Sequence, residues 1–120
     1  MNSNQTSILG TVKNFLDINE EDNCFDLQII ILTNTMIADV GTFSDILNKN
    51  FTITGDTELW TDYISNEGMN SILESVKSYI CIKVKLAFDP PANSSYKQSL
   101  VDTANRLEFY IKTNVEHTNI

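Results

Sequence analysis

The sequence predicts a mainly α fold, a small helical bundle of about four helices with a short β excursion or hairpin near residues 50–57. Apolar residues recur at spacings of three and four in four separate segments, as in helices that bury one side. The chain has only 4 glycines and 2 prolines, too few for a turn-dense small barrel. With 120 residues, 42% of them hydrophobic, it can bury a core without a metal or a disulfide. We therefore expect a single domain over residues 1–120.

The first helix is predicted to open after Ser3 or Asn4, because such side chains can accept a hydrogen bond from a free N–H at a helix start. It is predicted to end before the acidic loop at 17–22. Its apolar face consists of residues three and four apart: Ile8, Leu9, Val12, Phe15 and Leu16.

The second helix is predicted from about Phe25 into the low forties, with Asp22 or Asn23 as its cap. Asp26 suits its first turn, where a carboxylate is stabilised by the helix dipole. One apolar stripe is predicted along this helix: Phe25, Ile29, Leu32, Met36 and Val40.

The hydrophobic period changes over residues 48–56, where Phe51 and Ile53 alternate with threonines before Gly55 and Asp56. This pattern predicts a short strand that enters a turn. A short amphipathic helical turn is then expected, with apolar or aromatic residues at Leu59, Trp60, Tyr63 and Ile64.

The third long helix is predicted to begin near Met69 and to carry apolar residues on two sides. One side holds Met69, Ile72, Leu73, Val76, Ile80, Val84 and Ala87; the other holds Tyr79, Ile82 and Leu86. Apolar residues on two sides indicate a central helix that several neighbours contact. Residues 80–86 also alternate as a strand would, but the length of the segment favours the helix.

The prolines at 90 and 91 end this helix, since neither has an N–H to continue it. Ser95, with Gln98 three residues later, predicts a capping box at the start of a last helix. A single buried stripe is predicted along that helix: Tyr96, Leu100, Ala104, Leu107, Ile111 and Val115. We expect the chain ends, 1–4 and 113–120, to be flexible.

Sixteen acidic and eight basic residues give a net charge of −8 and disfavour a surface that binds nucleic acid or anionic membranes. Residues 1–67 hold eleven acids and two bases, so most of the negative charge lies in the N-terminal half. The longest apolar run, 29–32, is far shorter than a membrane span requires. Without a signal-peptide pattern, we expect cytosolic synthesis with free thiols, and Cys24 and Cys81 as core residues.

No catalytic constellation is present in the sequence, and the single histidine, His117, lies close to the C-terminus. Asp17, Asn19 and Glu21 fit the first positions of a calcium loop, but Asp22 replaces the required glycine and Gln28 the required glutamate. We therefore expect no enzyme activity, no metal and no cofactor.

Two features leave alternatives open. Trp60 is either a core residue or an anchor at an interface, and the core is favoured. The basic residues Lys77, Lys83, Lys85 and Arg106 either complement the acidic half within one chain or contact the acids of another copy. The acids concerned are Asp17, Glu20, Glu21 and Asp22. A contact between copies would join two unlike surfaces, as a head-to-tail ring requires.

The stretch from Tyr79 through Lys83 to Phe88-Asp89-Pro90-Pro91 resembles the head-tail connector family of long-tailed bacteriophages, the adaptor or head-completion proteins. Other landmarks follow the expected order of that family. They are Phe25-Asp26, Asn34, Trp60 with Asp62, and Glu108 in the last helix. The resemblance covers about residues 25 to 112.

The resemblance implies a structural virion protein, usually a dodecamer, that forms a ring beneath the portal protein after DNA packaging. It implies contacts with the portal and with a stopper or tail-completion protein, while packaged DNA passes through without sequence-specific binding. The expected location is the head-tail interface of the virion, and the host cytoplasm during assembly. The alternative is a small acidic regulator or inhibitor that binds a basic partner, supported only by the acidic N-terminal half.

Overall fold

A computed structural model describes residues 7–44, 47, 50–64 and 70–118. Within them the chain forms five α-helices: α1 (Ile8–Phe15), α2 (Asp26–Gly41), α3 (Trp60–Tyr63), α4 (Asn70–Phe88) and α5 (Ser94–Thr118). The predicted mainly α fold is confirmed, and α3 is the short helical turn predicted at 59–64. The predicted start of the third long helix at Met69 lies outside the described residues.

Helix α4 is the centre of the bundle, because α1, α2 and α5 all pack against it. It is buried along most of its length, at Ile72, Leu73, Val76, Tyr79, Ile80, Cys81, Ile82 and Val84. The prediction of a central helix is confirmed, and the alternative of a strand at 80–86 is wrong. Ala87, which was predicted on one apolar side, is exposed near the end of the helix.

Helix α1 begins at Ile8 and is capped by Ser7, whose hydroxyl accepts a hydrogen bond from the Gly10 N–H at 2.9 Å. The predicted caps, Ser3 and Asn4, lie outside the described residues. Most of the predicted apolar face is buried: Ile8, Leu9, Val12 and Leu16. Phe15 in the last turn is 40% exposed.

The start of α2 differs from the prediction, because Phe25 is the N-cap residue and no side chain caps the helix. Asp22 instead accepts a hydrogen bond from the Cys24 N–H at 3.1 Å, within the preceding loop. Phe25 is 46% exposed because it precedes the helix and does not follow its period. The buried side of α2 is formed by Ile29, Thr33, Met36, Ile37 and Val40, while Leu32 is only half-buried.

The segment predicted as a strand forms no hairpin in its described part, residues 50–58. The backbone there is irregular, and the neighbouring residue Leu59 forms an isolated antiparallel bridge with Ser7. Ile53 is buried, and the ring of Phe51 stacks on that of Tyr63 at 5.1 Å. The apolar residues of the pattern thus reach the core without a partner strand.

The last helix begins two residues earlier than the predicted cap at Ser95 implies, at Ser94. Asn93 is its cap, because the Asn93 side chain accepts a hydrogen bond from the Tyr96 N–H at 2.9 Å. The predicted capping box of Ser95 and Gln98 is therefore wrong. Leu100, Ala104 and Ile111 are buried as predicted, whereas Tyr96 in the first turn is 51% exposed. Helix α5 continues to Thr118, into the segment predicted to be flexible; residues 1–4 are not described.

The two cysteines differ in burial. Cys81 is buried in α4 as predicted, and burial raises the pKa of its thiol to about 12. Cys24 is exposed, contrary to the prediction, because it lies in the loop before α2. In the described part of the chain, no helix is long and apolar enough to cross a membrane.

A buried ion pair joins α1 to the start of α2. Lys13 is 2% exposed, and its Nζ lies 2.8 Å from Oδ1 of Asp26. The same ammonium group donates a hydrogen bond to the Glu20 carbonyl at 3.0 Å. Lys13 therefore connects α1, the acidic loop and α2 through one charged group.

We predict that Lys13→Met lowers the free energy of unfolding by about 2 to 3 kcal/mol, because the partly buried carboxylate of Asp26 loses its only ion-pair partner in the described residues. Denaturant titration measures the change. The matched control is Lys112→Met, which removes a pair of nearly equal length, 2.7 Å to Glu108, on an exposed face of α5. The control is expected to cost no more than about 1 kcal/mol. Equal losses in the two variants would contradict the importance of the buried pair.

Candidate functional site

Two of the predicted motif positions meet at one end of the bundle. The rings of Phe25 and Phe88 contact edge to face, with their centres 5.5 Å apart. Because these residues precede α2 and end α4, their contact fixes how the two helices meet. Asp26, next to Phe25, lies in the first turn of α2 as predicted and pairs with Lys13.

Asn34 attaches the irregular segment 50–58 to α2. Its amide nitrogen donates to the Ile53 carbonyl at 3.0 Å, and its amide oxygen accepts from the Ile53 N–H at 2.8 Å. An asparagine side chain offers one donor and one acceptor side by side, so it replaces the partner strand that the segment lacks. Further along, Glu58 Oε2 accepts from both the N–H and the hydroxyl of Thr54, at 3.0 and 2.9 Å.

Trp60 and Asp62 hold the short helix α3 against α1. Trp60 is 1% exposed, and its indole N–H donates to the Thr11 hydroxyl at 3.0 Å. Asp62 accepts a hydrogen bond from the Leu59 N–H at 2.8 Å, which satisfies a free donor at the start of α3. The prediction that Trp60 lies in the core is confirmed.

Tyr79 lies where the end of α2 meets α4 and α5. Its ring packs edge to face on Phe43 at 5.4 Å, and Lys83 Nζ lies 5.9 Å from its centre. Burial, together with the negative charge of Glu108, raises the pKa of Tyr79 to about 12. Glu108 pairs with Lys112, whose ammonium group also lies 5.1 Å from the centre of the Phe43 ring. Tyr79 is the buried member of this group, and the Glu108–Lys112 pair lies on its solvent side.

The corner between α4 and α5 contains the predicted motif Phe88-Asp89-Pro90-Pro91. The Asp89 N–H donates to the Lys85 carbonyl at 2.8 Å, which closes the last turn before the prolines. Pro90 is exposed and Pro91 is half-buried. Two residues later Asn93 caps α5, so that the chain reverses within a few residues.

The four predicted acids of the loop before α2 are exposed: Asp17, Glu20, Glu21 and Asp22. The hydrogen bond from the Cys24 N–H lowers the pKa of Asp22. Glu20 Oε1 accepts from Asn14 Nδ2 at 3.4 Å. The loop is therefore a negatively charged surface whose contacts in the described residues are mostly short-range.

The predicted basic cluster does not meet this loop in the described residues. Lys77 Nζ lies 3.5 Å from Glu74, and Lys85 Nζ lies 3.7 Å from Asp89, both within one turn along the chain. Arg106 is exposed on α5 and forms no ion pair with a described residue. The ion pairs that these positive side chains of α4 and α5 form are thus with acids three or four residues away in sequence.

The described clefts contain few groups that could take part in catalysis or bind a metal ion. An open groove of about 400 Å³ between α1, α4 and α5 is lined mainly by apolar atoms and includes Cys81, Lys77 and Glu74. The raised pKa of Cys81 keeps its thiol protonated at neutral pH, and a protonated thiol is a poor nucleophile. Among the described residues, no group of three or more His, Cys, Asp or Glu side chains is placed to hold a metal ion. The side chain of His117 is not described.

The sequence did not predict that several large apolar residues face solvent. On α2 these are Leu27, 72% exposed, and Ile31, 57% exposed; on α5 they are Phe109, 72% exposed, and Tyr110, 38% exposed. Helix α2 is apolar on more than one side, and this could have indicated an outer contact as well as a core contact. None of these four residues is a family motif position.

We predict that Asn34→Asp destabilises the fold by about 2 kcal/mol at neutral pH, since it removes the donor to Ile53 and places a negative charge beside that carbonyl. Protonation restores a donor, so the pKa of the introduced carboxyl is raised in the folded state. The deficit relative to the wild type should therefore shrink as the pH falls from neutral toward about 4, the ordinary pKa of an aspartic acid, and return as the pH rises again. Denaturation across this range measures it, with Asn105→Asp on an exposed face of α5 as the control. A deficit that does not vary with pH would contradict the role assigned to the amide.

The comparisons with known proteins bear on these motif positions. The model of the phage connector protein family matches residues 8–118. This stretch begins at the first residue of α1 and ends at the last residue of α5. No curated protein and no solved structure matches the chain. Because the family match includes every helix and all twelve motif positions named above, the chain belongs to the phage connector protein family, whose role in the virion is structural.

Proposed function

We propose that this chain forms a ring beneath the portal protein, extends the DNA channel and joins the filled head to the stopper or tail. The observation that carries the proposal is the family match over residues 8–118, which includes the whole helical bundle. The ring is a homo-oligomer of this chain, with a dodecamer as the expected form. Each copy acts as one structural domain and has no catalytic role.

The proposed partners are further copies of the chain, the portal protein and a stopper or tail-completion protein. The chain acts in the virion at the head-tail interface, and it is present in the host cytoplasm during assembly. The motif positions support this role by shaping the subunit. Phe25 with Phe88, Asn34 with Ile53 and Trp60 with Thr11 are contacts inside the bundle, and they leave its outer faces available for assembly.

The proposed relation to DNA is passive. The exposed acids at 17–22 repel phosphates, so a channel wall that carries them lets DNA slide without binding. The net charge of −8 supports the same behaviour. DNA binding with sequence preference has no part in the proposal.

We predict that a phage or prophage lacking this chain packages DNA into heads that fail to join tails or that lose their DNA. Electron microscopy and nuclease protection of the particles measure this outcome, and mass spectrometry of complete virions detects the chain in the parent phage. Supplying the wild-type chain from a plasmid should restore infectivity. Normal, infectious virions without the chain would contradict the proposal. Tight one-to-one binding to a basic host protein, with no effect on particles, would favour the acidic regulator.

A separate variant tests whether the acidic loop at 17–22 faces the DNA. In it, Asp17, Glu20, Glu21 and Asp22 are replaced by the matching amides. These changes keep side-chain size and the acceptor oxygens that contact Asn14 and Cys24, so the loop should keep its shape. We expect slower genome ejection from the variant particles, because the wall repels DNA less. The control replaces Asp56 and Asp102, exposed acids on other parts of the chain. Unchanged genome retention and ejection would show that this loop does not face the DNA.

A further inference from the structure

Helix α2 presents an apolar ridge to solvent, formed by Leu27 and Ile31. The two side chains are one turn apart and are 72% and 57% exposed. At 100° per residue, they lie on the side of α2 opposite its buried stripe, which includes Ile29 and Val40. No described residue covers this ridge, and an exposed apolar ridge on a helix is typical of a contact surface.

Helix α5 presents a second apolar patch, formed by Phe109 and Tyr110. Phe109 is 72% exposed and lies opposite the buried stripe that contains Leu100 and Ile111, while Tyr110 is 38% exposed at its side. Aromatic residues, Phe and Tyr among them, are enriched at protein interfaces. The α5 patch therefore has the composition of a docking site.

The ridge and the patch cannot cover each other within one molecule. Helices α2 and α5 both pack on α4, and each turns its exposed apolar residues away from the core. A second copy of the chain can bring them together, since it carries both surfaces.

The charges around the two surfaces differ. Residues 14–47, which contain the ridge, include seven acids and no base. Beside the α5 patch, Lys112 pairs with Glu108, whereas Arg106 forms no ion pair with a described residue. A contact between two ridges would bring acidic loops together, whereas a ridge on an α5 patch places acids near a base. The charges thus favour the unlike pair of surfaces.

We propose that the ridge of Leu27 and Ile31 in one copy docks on the patch of Phe109 and Tyr110 in the next copy, which brings Arg106 toward the acidic side of the ridge. An open chain of copies then keeps one free ridge at one end and one free patch at the other until the assembly closes, as a head-to-tail ring requires. This proposal rests on the proposed function and names the surfaces through which the subunits meet.

The first experiment compares the assembly of Leu27→Glu and Phe109→Glu with that of the wild type, by sedimentation velocity and native mass spectrometry over a range of concentrations. Each variant puts a charge into the apolar contact, and we expect it to weaken self-association about tenfold or more. Tyr96→Glu is the matched control, since Tyr96 is an exposed aromatic on α5 outside the patch, and it should assemble as the wild type does. Thermal unfolding followed by circular dichroism checks that all three variants stay folded.

The second experiment mixes the two interface variants in equal amounts. The intact patch of Leu27→Glu can bind the intact ridge of Phe109→Glu, but neither of the remaining surfaces can extend the assembly. We therefore expect a heterodimer as the main species, which a two-fold contact between like surfaces would not produce.

Three results would overturn the proposal: a wild-type chain that stays monomeric up to its solubility limit, folded variants that assemble like the wild type, or a mixture that stays monomeric. None of these results bears on whether the chain is present in virions and required for head-tail joining. The failure of this interface and the failure of the proposed function are therefore distinguishable.

Discussion

The packing of α1, α2 and α5 around α4 is the constraint on which the rest of this structure depends. Helix α4 buries residues on several sides, so it cannot be stable in water without all three neighbours. Because all three long neighbours pack on the same helix, α4 also fixes their directions. The outward-facing sides of α2 and α5 are consequently held in fixed positions by their packing on α4.

Polar contacts help to fix the positions of the elements that surround α4. Lys13 bonds the start of α2 and the acidic loop to α1, and Asn34 holds the segment around Ile53 in place of a partner strand. Trp60 joins α3 to α1 through its indole N–H. Each of these side chains meets a partner of matching chemistry, so wrong arrangements leave polar groups unpaired. The family motif positions thus act mainly on the shape of the subunit.

The number and positions of the helices follow largely from the hydrophobic period, but the residues at which each helix begins and ends do not. The two-sided apolar pattern of residues 72–86 predicts a central helix because only burial on several sides satisfies it. Caps are less predictable, since Asn93, Ser94 and Ser95 are all good candidates by residue type, and it is Asn93 that accepts the hydrogen bond from Tyr96. Phe25 misled the prediction because it precedes α2 and contacts Phe88 instead of following the helical stripe.

The candidate site is less predictable still, because its contacts join residues distant in sequence. Nothing in the sequence around Lys13 indicates that this lysine is buried against Asp26.

The proposed ring beneath the portal is tested most directly by cryo-electron microscopy of the head-tail junction of the phage that encodes the chain. We expect a ring of copies of this helical bundle beneath the portal, with its outer helices at the subunit contacts. A complete junction without this bundle would contradict it.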